Sequence, residues 1–357
     1  MAEKFGFGII GAGVISAYHA EAIKANPDAE IRAVADPVPG RAAEFAAKHG
    51  GRGFEDFKEM VRQPDVDCVC VCTPSGLHAE HALAAMEAGK HVIVEKPMAI
   101  RLEDGARLLK TAREKGVTLA VVSQLRTTEP IQRLKKAIAD GAFGKIVNVD
   151  VLIKYWRNQA YYDSANWRGT WAMDGGGATM NQGCHGIDEM HFLVGPVESV
   201  YARCATVAHN IEVEDLAVAL LTFKSGALGH VLASTVTNPG TGNRIEVNGT
   251  QGTAVLDDKG IQSWCVAPSK EELASETIDA AAAAGKNVAG GSAVTGFDAT
   301  GHTLQIANFI AGIRGEAPLI CSGQDGFEDI LLILSLYESS RQRKEIVLAD
   351  MVKGLEM

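Results

Sequence analysis

Through the first third of the chain, short apolar runs alternate with amphipathic stretches of helical period. Apolar runs bounded by glycine, proline or polar residues are typical of buried strands, whereas apolar residues spaced three and four apart are typical of helices. Strands that alternate with helices indicate a doubly wound parallel sheet. The predicted strands are 5–10, 30–36, 66–72, 91–95 and 118–123, and the predicted helices are 17–24, 41–49, 54–62, 78–89 and 102–115.

The pattern changes near residue 125. A predicted helix at 131–139 precedes a run in which apolar and polar residues alternate from Val147 to Tyr155, and a period of two is typical of a strand with one buried face. We therefore predict an α/β domain at 1–125 and an α+β domain at 126–357 with a large, mainly antiparallel open sheet. Its remaining predicted elements are strands at 217–223, 227–236, 244–247, 253–256 and 261–266, a surface loop at 280–291, and helices at 303–314 and 325–342.

The first strand runs into a glycine turn that contains Gly11 and Gly13, and a helix follows directly. Glycine permits the tight turn and lets the backbone approach a pyrophosphate, which the N–H groups and dipole of a helix N-terminus favour. Ser16 replaces the third glycine of the dinucleotide fingerprint, but it is small enough for close packing of helix on strand. The alternative is a tight turn that binds no ligand.

The second predicted strand ends in an acid. Asp36 lies 25 positions after Gly11, near the ~20-residue spacing at which a carboxylate binds the ribose hydroxyls of a dinucleotide. A carboxylate accepts hydrogen bonds from a 2′-hydroxyl and repels a 2′-phosphate. The sequence therefore predicts NAD as the cofactor and makes NADP less favoured. The nearby Arg41 weakens this preference for NAD.

Composition excludes several classes of function. A net charge of -10 over 357 residues argues against partners such as nucleic acid or an anionic membrane. No apolar run approaches the ~20 residues of a membrane span, and no signal peptide fits the N-terminus. Cys68, Cys70 and Cys72 alternate along one strand, which is typical of a core strand in a reducing compartment rather than of a metal site. We expect a cytoplasmic protein.

Glu95, Lys96 and Pro97 end a predicted parallel strand, at the sheet edge where ligands bind. A lysine at that position can lower the pKa of a substrate hydroxyl, or exchange a proton with it if burial lowers its own pKa. The alternative is an exposed lysine without a catalytic role.

A second polar stretch opens with three glycines at 175–177 and continues as a predicted helix with Asn181, His185 and Asp188 on one face. His185 has the ordinary pKa closest to neutrality, so it is the natural acceptor of a proton from an alcohol. We expect Asn181 and Asp188 to orient the substrate or the histidine. A zinc site formed by His185, Asp188 and His191 is the less favoured alternative, and no metal is predicted.

Residues 154–171 are rich in aromatic residues and arginine. Trp and Tyr rings stack on sugar faces, and Arg binds carboxylate or phosphate through two hydrogen bonds. Arg157, Tyr162, Trp167 and Arg168 are therefore candidate substrate-binding residues. The alternative is a hydrophobic loop that packs at a subunit interface.

Together these motifs resemble those of the Gfo/Idh/MocA family, named for glucose–fructose oxidoreductase, inositol dehydrogenase and rhizopine catabolism. The resemblance covers nearly the whole chain. The motifs that carry it are the glycine turn, Asp36, Thr73-Pro74, residues 95–97, the stretch from the three glycines at 175–177 to His185, and residues 323–326. It implies a Rossmann domain and an α/β domain whose open sheet forms dimer or tetramer interfaces. It also implies reversible hydride transfer between nicotinamide C4 and a carbon of a sugar, polyol or derivative.

Carried onto this sequence, the resemblance makes Lys96 and His185 the catalytic pair. Many members have an aspartate where this chain has Asn181, and an amide can orient a substrate hydroxyl but cannot act as a base. The stretch 161–183 resembles a subgroup that includes nucleotide-sugar and other sugar 3-dehydrogenases. The predicted cofactor-binding residues are Gly11, Gly13, Val14, Ile15, Asp36, Thr73, Pro74, His78, Glu95, Lys96 and Gln124, and the predicted substrate-binding residues are Lys96, Arg157, Tyr162, Trp167, Arg168, Asn181 and His185.

We expect an NAD-dependent sugar dehydrogenase that oxidises a secondary hydroxyl and assembles as a homodimer or homotetramer through its C-terminal sheet. C3 of a hexopyranoside, uronate or nucleotide sugar is the candidate position. Two alternatives remain open. One is an enzyme that keeps its cofactor bound and reduces a keto sugar or recycles one intermediate. The other is a non-catalytic NAD(H)-responsive binding protein with the same fold.

Overall fold

The computed structural model describes residues 4–266 and 299–356. Its N-terminal strands are β1 (Phe5–Ile10), β2 (Ala29–Ala35), β3 (Arg52–Phe54), β4 (Cys68–Val71), β5 (His91–Val94) and β6 (Leu119–Val121). All are parallel and lie in the order β3-β2-β1-β4-β5-β6, the strand order of a Rossmann domain. The connecting helices are α1 (Val14–Ala25), α2 (Arg41–His49), α3 (Phe57–Val61), α4 (His78–Glu87) and α5 (Leu102–Lys115).

The second sheet has the order β13-β12-β11-β7-β10-β9-β8-β14. Its strands are β7 (Ile146–Lys154), β8 (Val197–Ala205), β9 (Leu216–Phe223), β10 (Leu228–Ser234), β11 (Gly242–Gly249), β12 (Gly252–Asp257), β13 (Gly260–Val266) and β14 (Ile346–Val347). The β7–β10 pair is parallel and the other pairs are antiparallel, which confirms the predicted mainly antiparallel sheet. Its helices are α6 (Glu129–Ala139), α7 (Gln159–Asp163), α8 (Cys184–Val194), α9 (Thr300–Ile313), α10 (Gly323–Gln342) and α11 (Leu348–Met351).

One face of the second sheet is covered and the other is open. Val151 and Val231 belong to the covered face and are part of one core with Ile187 of α8 and Leu336 of α10. On the open face, Leu220 is 60% exposed. Burial alternates along β9, as the period of two predicts for such a strand.

Helix α9 returns from the C-terminal region to the first sheet. Its residues Ile306, Phe309 and Ile310 are buried in one cluster with Phe7 and Ile9 of β1. The hydrophobic core of the N-terminal sheet is therefore completed by a segment almost 300 residues further along the chain. No helix within the two described ranges is long and apolar enough to cross a membrane.

Some predicted elements differ from the structure. The helix predicted at 54–62 begins too early, because Phe54 pairs with Ala35 in β3 and Asp56 caps a helix that starts at Phe57. Strand β8, which lies between β9 and β14, was not predicted from its pattern. The loop predicted at 280–291 lies outside the described residues.

Candidate active site

A cleft of about 800 Å³ lies at the carboxyl ends of the parallel strands, where open α/β sheets bind ligands. Residues from both halves of the chain line it. The predicted site residues along its walls are Gly11, Gly13, Val14, Ile15, Asp36, Thr73, Pro74, His78, Glu95, Lys96, Trp167, Arg168 and Asn181.

The glycine turn leaves the N-terminus of α1 open to the cleft. Gly11 has a φ of +94°, and a Cβ there would lie 2.8 Å from the carbonyl oxygen of Cys72. A Cβ at Gly13 would meet no atom within 4 Å, and α1 has neither a side-chain cap nor an acidic residue in its first turn. Ser16 donates a hydrogen bond to the Gly11 carbonyl at 2.7 Å, which ties the helix to the turn. The backbone therefore fits a pyrophosphate, because its N–H groups are free and the approach is clear.

Asp36 is held at the end of β2 with its carboxylate on the cleft. Its side-chain oxygens accept hydrogen bonds from the backbone N–H groups of Ala12 and Val38, each at 3.0 Å. Arg41 lies 3.5 Å from the same carboxylate. This arrangement fits a dinucleotide whose ribose hydroxyls face Asp36.

Glu95 is buried at the end of β5 between two histidines. His19 lies 2.9 Å from Glu95 Oε1, and His302 of α9 lies 3.7 Å from it. Burial alone would raise the pKa of Glu95, but the two histidines outweigh it and hold that pKa well below its ordinary value. The carboxylate therefore stays ionised beside Lys96.

Lys96 stands where the cleft meets a smaller cavity below it. Its ammonium donates a hydrogen bond to the Asn181 carbonyl at 3.2 Å. Burial lowers the pKa of Lys96, but Cys184, Glu95 and neighbouring acidic groups outweigh it and leave that pKa raised. Of the two roles predicted for Lys96, the structure favours a permanent positive charge over proton exchange.

His185 lines this smaller cavity with Lys96, on the side of α8 that faces β6. Burial, together with the positive charge of Lys96, lowers the pKa of His185 to about 3. The imidazole is therefore neutral at physiological pH, and a neutral imidazole can accept a proton.

Asn181, His185 and Asp188 do not form the single polar face predicted from their spacing. Residues 178–183 form a π-helical turn before α8 begins at Cys184, so a spacing counted in α-helical turns fails across this junction. Asn181 lines the main cleft, whereas His185 and Asp188 of α8 both line the smaller cavity, where Asp188 also pairs with Arg126. The Asp188 carboxylate accepts hydrogen bonds from Ser123 and Arg126, and its role in orienting the substrate or the histidine stays a prediction.

Asp174 is a site residue that sequence reasoning missed. It is buried, and its carboxylate accepts hydrogen bonds from the Gly169 N–H and from Nδ2 of Asn181, each at 2.9 Å. Because the amide nitrogen of Asn181 is bound in this way, its side-chain oxygen remains available as an acceptor. The glycine run that begins at Gly175 follows Asp174, but no local pattern indicated this contact.

The aromatic loop places Arg168 and Tyr161 at the cleft. The Arg168 guanidinium lies 4.4 Å from the ring centre of Tyr161 and 4.5 Å from that of Trp167, and it donates a hydrogen bond to the Tyr161 hydroxyl at 2.6 Å. Its Nε is buried without a hydrogen-bond partner. Tyr161 lines the cleft, although Tyr162 was predicted instead.

Three predicted contacts lie elsewhere. Tyr162 is 6% exposed, and its hydroxyl is hydrogen-bonded to Thr235. It therefore packs under the loop and does not line the cleft. Arg157 lies against Tyr155 and Tyr161 outside the cleft lining. The Gln124 side chain packs at Gly301, at the start of α9, and does not line the cleft.

The three zinc ligands considered from the sequence, His185, Asp188 and His191, do not form a group that could share one metal ion. In the described parts of the chain, the side chains close enough to share a metal ion are His19, Glu95 and His302. In that group Glu95 is already within hydrogen-bond distance of His19.

Comparison with known proteins agrees with this arrangement. Residues 5–123 match the oxidoreductase family with an NAD-binding Rossmann fold, GFO/IDH/MocA, and residues 131–255 match the C-terminal domain of the same family. A 1,5-anhydro-D-fructose reductase from Ensifer adhaerens is 32% identical over 70% of this chain and 74% of its own. The chain belongs to the GFO/IDH/MocA family.

Within this family, the myo-inositol 2-dehydrogenase of Thermotoga maritima is 28% identical over 97% of this chain and 99% of its own. Among solved structures, the WlbA dehydrogenase from Bordetella pertussis, in complex with NADH and UDP-GlcNAcA, is 36% identical, with a TM-score of 0.84 over 97% of this chain and 99% of its own. These relatives confirm the predicted family and class: this GFO/IDH/MocA protein is an NAD-dependent oxidoreductase.

Replacing Asp36 by serine is expected to reduce the preference for NAD over NADP at least tenfold, on the order of the 1.4 kcal/mol that one charged contact carries. Serine removes the charge that repels a 2′-phosphate and frees Arg41, now 3.5 Å from Asp36, to bind it. Dissociation constants for both nucleotides, from quenching of tryptophan fluorescence, measure the change. Asp28→Ser, outside the cleft, is the control, and an unchanged ratio in Asp36→Ser would contradict this role.

Proposed function

We propose that this enzyme oxidises a secondary hydroxyl of a nucleotide-linked sugar acid with NAD, with C3 of the pyranose ring as the reacting carbon. One observation carries the proposal. Lys96 lies at the junction between a cleft with the glycine turn, Arg168 and Asn181 on its walls, and the cavity that His185 lines. The likeness to the WlbA dehydrogenase in complex with UDP-GlcNAcA supports this substrate class.

Each polar side chain has a distinct task in this proposal. His185, held neutral by its lowered pKa, accepts the proton of the hydroxyl. Lys96, held charged, stabilises the negative charge that develops on the substrate oxygen. Asn181, fixed by Asp174, accepts a hydrogen bond from a neighbouring hydroxyl and sets the ring position. NAD, which the glycine turn and Asp36 would hold, would supply the hydride acceptor.

Arg168 gives the cleft its preference for an acid. A guanidinium has five N–H donors in a plane that matches a carboxylate, and stacking against two aromatic rings fixes its orientation. One donor binds Tyr161 and the buried Nε has no partner. A substrate carboxylate in the cleft would accept hydrogen bonds from the guanidinium donors that remain on the cleft side.

The direct test is NADH formation from UDP-GlcNAcA, followed by absorbance. UDP-GlcNAc, which lacks the carboxylate, and myo-inositol are the comparison substrates. We expect the highest kcat/KM with UDP-GlcNAcA. Faster oxidation of myo-inositol would refute the proposed substrate class, and nucleotide binding without turnover of any substrate would favour the binding-protein alternative.

Replacing Arg168 by glutamine is expected to raise KM for UDP-GlcNAcA by about 10- to 100-fold, the range for one charged hydrogen-bonded contact. KM for UDP-GlcNAc should change much less, because that sugar has no carboxylate to lose. Steady-state kinetics with both substrates measure the difference. Arg157→Gln, in the same loop but outside the cleft lining, is the control. An equal rise for both sugars would argue against a carboxylate contact.

We also propose assembly through the open face of the C-terminal sheet. Tyr201 and Leu220 are opposite each other on β8 and β9, and they are 41% and 60% exposed. Leu228 on β10, 59% exposed, extends this apolar surface. Exposed apolar surface of this kind marks protein interfaces. A second copy of the chain is the proposed partner.

Replacing Leu220 by lysine is expected to dissociate the oligomer, because it buries a charge at the centre of that interface. Sedimentation velocity measures the shift from dimer or tetramer to monomer. Leu304→Lys, at a leucine of α9 that is 47% exposed, is the matched control. A wild-type monomer, or an oligomer that survives Leu220→Lys, would contradict the proposed interface.

We propose that the protein works in a reducing compartment, the cytoplasm. Cys68 and Cys70 are fully buried in β4, Cys72 is buried just after it, and all three are free thiols. Free thiols in a core are typical of proteins from reducing compartments.

A further inference from the structure

A buried cluster with two carboxylates and one guanidinium lies beside the smaller cavity that His185 lines. Arg126 donates hydrogen bonds from Nε to both oxygens of Asp188, each at 3.0 Å. Asp329 of α10 lines the same smaller cavity as Asp188, and His191 Nδ1 lies 2.7 Å from Asp329 Oδ1. Arg126, Asp188 and Asp329 are 2%, 5% and 8% exposed. All three charges are therefore removed from bulk water.

A cavity of about 20 Å³ connects this cluster with the catalytic pair. Lys96 and His185 line one part of it, and Ser123, Asp188 and Asp329 line another. A cavity of this volume can hold one ordered water molecule when a few polar groups reach it, and these five polar side chains line it among apolar ones. A single water molecule can thus bridge from the histidine to a carboxylate.

The positive charge of Arg126 balances only one of the two carboxylates, so the cluster has one excess negative charge when Asp188 and Asp329 are both ionised. Burial raises the pKa of Asp188 to about 7, with a further rise from Asp329, although Arg126 opposes both effects. Burial likewise raises the pKa of Asp329 to about 7. Burial lowers the pKa of His191 to about 4, so its ring stays neutral. The other ionisable groups that act on the cluster are Lys96, Lys135, Asp325, Glu328, Cys184, Cys321 and Glu189.

We propose that the Asp188–Asp329 pair takes up the proton that His185 removes from the substrate, through one water molecule in this cavity. The inference rests on the proposed role of His185 as the base. Oxidation of a secondary alcohol breaks its C–H and O–H bonds as the C=O bond forms; NAD would accept the hydride from carbon, and the O–H proton must go to a base. That proton moves from the hydroxyl oxygen to His185 and then to the water, as the water gives one of its own protons to a carboxylate oxygen. In the reduction direction, the same pair returns the proton.

The charge of Lys96 makes this transfer favourable. An imidazolium at His185 would lie beside a permanently charged ammonium in a site removed from water, where like charges repel strongly. Passing the proton to a cluster with excess negative charge restores the neutral histidine. It also balances the charge of Arg126.

The test compares the pH dependence of hydride transfer in single turnovers with NAD and UDP-GlcNAcA. The pair must be deprotonated to accept a proton, so the wild-type rate should rise as the pH passes through neutrality. In Asp329→Asn, Asp188 keeps Arg126 and loses its carboxylate neighbour, so its pKa falls. The pH at which the rate rises, called the pH limb below, should then decrease by about one unit. Asp329→Asn is the decisive variant because it leaves the Arg126–Asp188 ion pair in place.

Infrared spectroscopy provides a measurement that needs no substrate. The carbonyl stretch of the protonated pair should titrate near neutrality in the wild type and shift to lower pH, together with the rate, in Asp329→Asn. If this band titrates but no NADH forms, the substrate assignment fails and the pair is supported. If NADH forms but no such band exists, the proton-acceptor pair is refuted.

Glu189→Gln is the matched control. Glu189 is a buried carboxyl on the same helix, bonded to Asn243 at 2.9 Å, and burial raises its pKa to about 8, but it does not line the cavity. This variant should lose its own infrared band and keep the wild-type pH limb of hydride transfer. A limb that stays in place in Asp329→Asn, or that moves equally in Glu189→Gln, would overturn the proposal.

Discussion

Replacing His185 by alanine is expected to lower kcat for sugar oxidation by about 10²–10⁴-fold, the usual contribution of a positioned acid–base group. The variant keeps Lys96 and the whole lining of the main cleft, to which His185 does not belong. KM and the dissociation constant for NAD should therefore stay within about twofold of the wild type, because His185 lies outside the cleft proposed to hold the nucleotide. Steady-state kinetics and a nucleotide titration separate the two effects.

His230→Ala is the matched control, because His230 lies on β10 of the C-terminal sheet, outside the cleft and the smaller cavity. It should retain wild-type kcat. Near-full activity of His185→Ala at saturating substrate would show that another group removes the proton. A loss of NAD binding in the same variant would show instead that His185 supports the fold of the cleft.

Replacing Lys96 by methionine is expected to lower kcat by about 10²–10³-fold, the range for removing one donor that stabilises a developing oxyanion. Methionine has similar length and no charge. Because the charge of Lys96 lowers the pKa of His185, that pKa should rise in Lys96→Met. The limb set by His185, which lies at lower pH than the limb set by the Asp188–Asp329 pair, should therefore move to higher pH as the rate falls.

Kinetics across pH measure both changes, with Lys115→Met on the exposed end of α5 as the control. In the double variant with His185→Ala, the losses should not add, because the two groups act on the same oxygen. Additive losses, or a pH limb that stays in place in Lys96→Met, would argue against their cooperation.

Local patterns predicted the parts of the site that depend on local backbone geometry. Gly11 and Gly13 lie in a turn between a strand and a helix, and Asp36 lies at the end of the next strand. Each position follows from the hydrophobic pattern of the residues next to it. Their placement in one cleft then follows from the parallel order of the strands. Lys96 was predicted for the same reason, since it comes directly after a strand.

Other site residues depend on geometry that no periodicity encodes. A π-helical turn before His185 changes the pitch, so a spacing of four no longer means a shared face. Tyr161 and Tyr162 are adjacent in a loop, and only the folded chain determines which ring lines the cleft. The contact between Arg126 and Asp188 spans 62 positions, which places it beyond any local pattern.

Helix α9 also constrains the biosynthesis of the enzyme. Because Phe309 completes the core around Phe7, the nucleotide-binding half cannot finish folding when its own strands leave the ribosome. At about 5–20 residues per second, some 15–60 s of synthesis separate the two segments. During that time the apolar face of β1 that α9 covers stays open to solvent or to a chaperone. A nascent chain that ends before residue 300 therefore carries an incomplete nucleotide-binding core, and quality control can recognise it by that exposed surface.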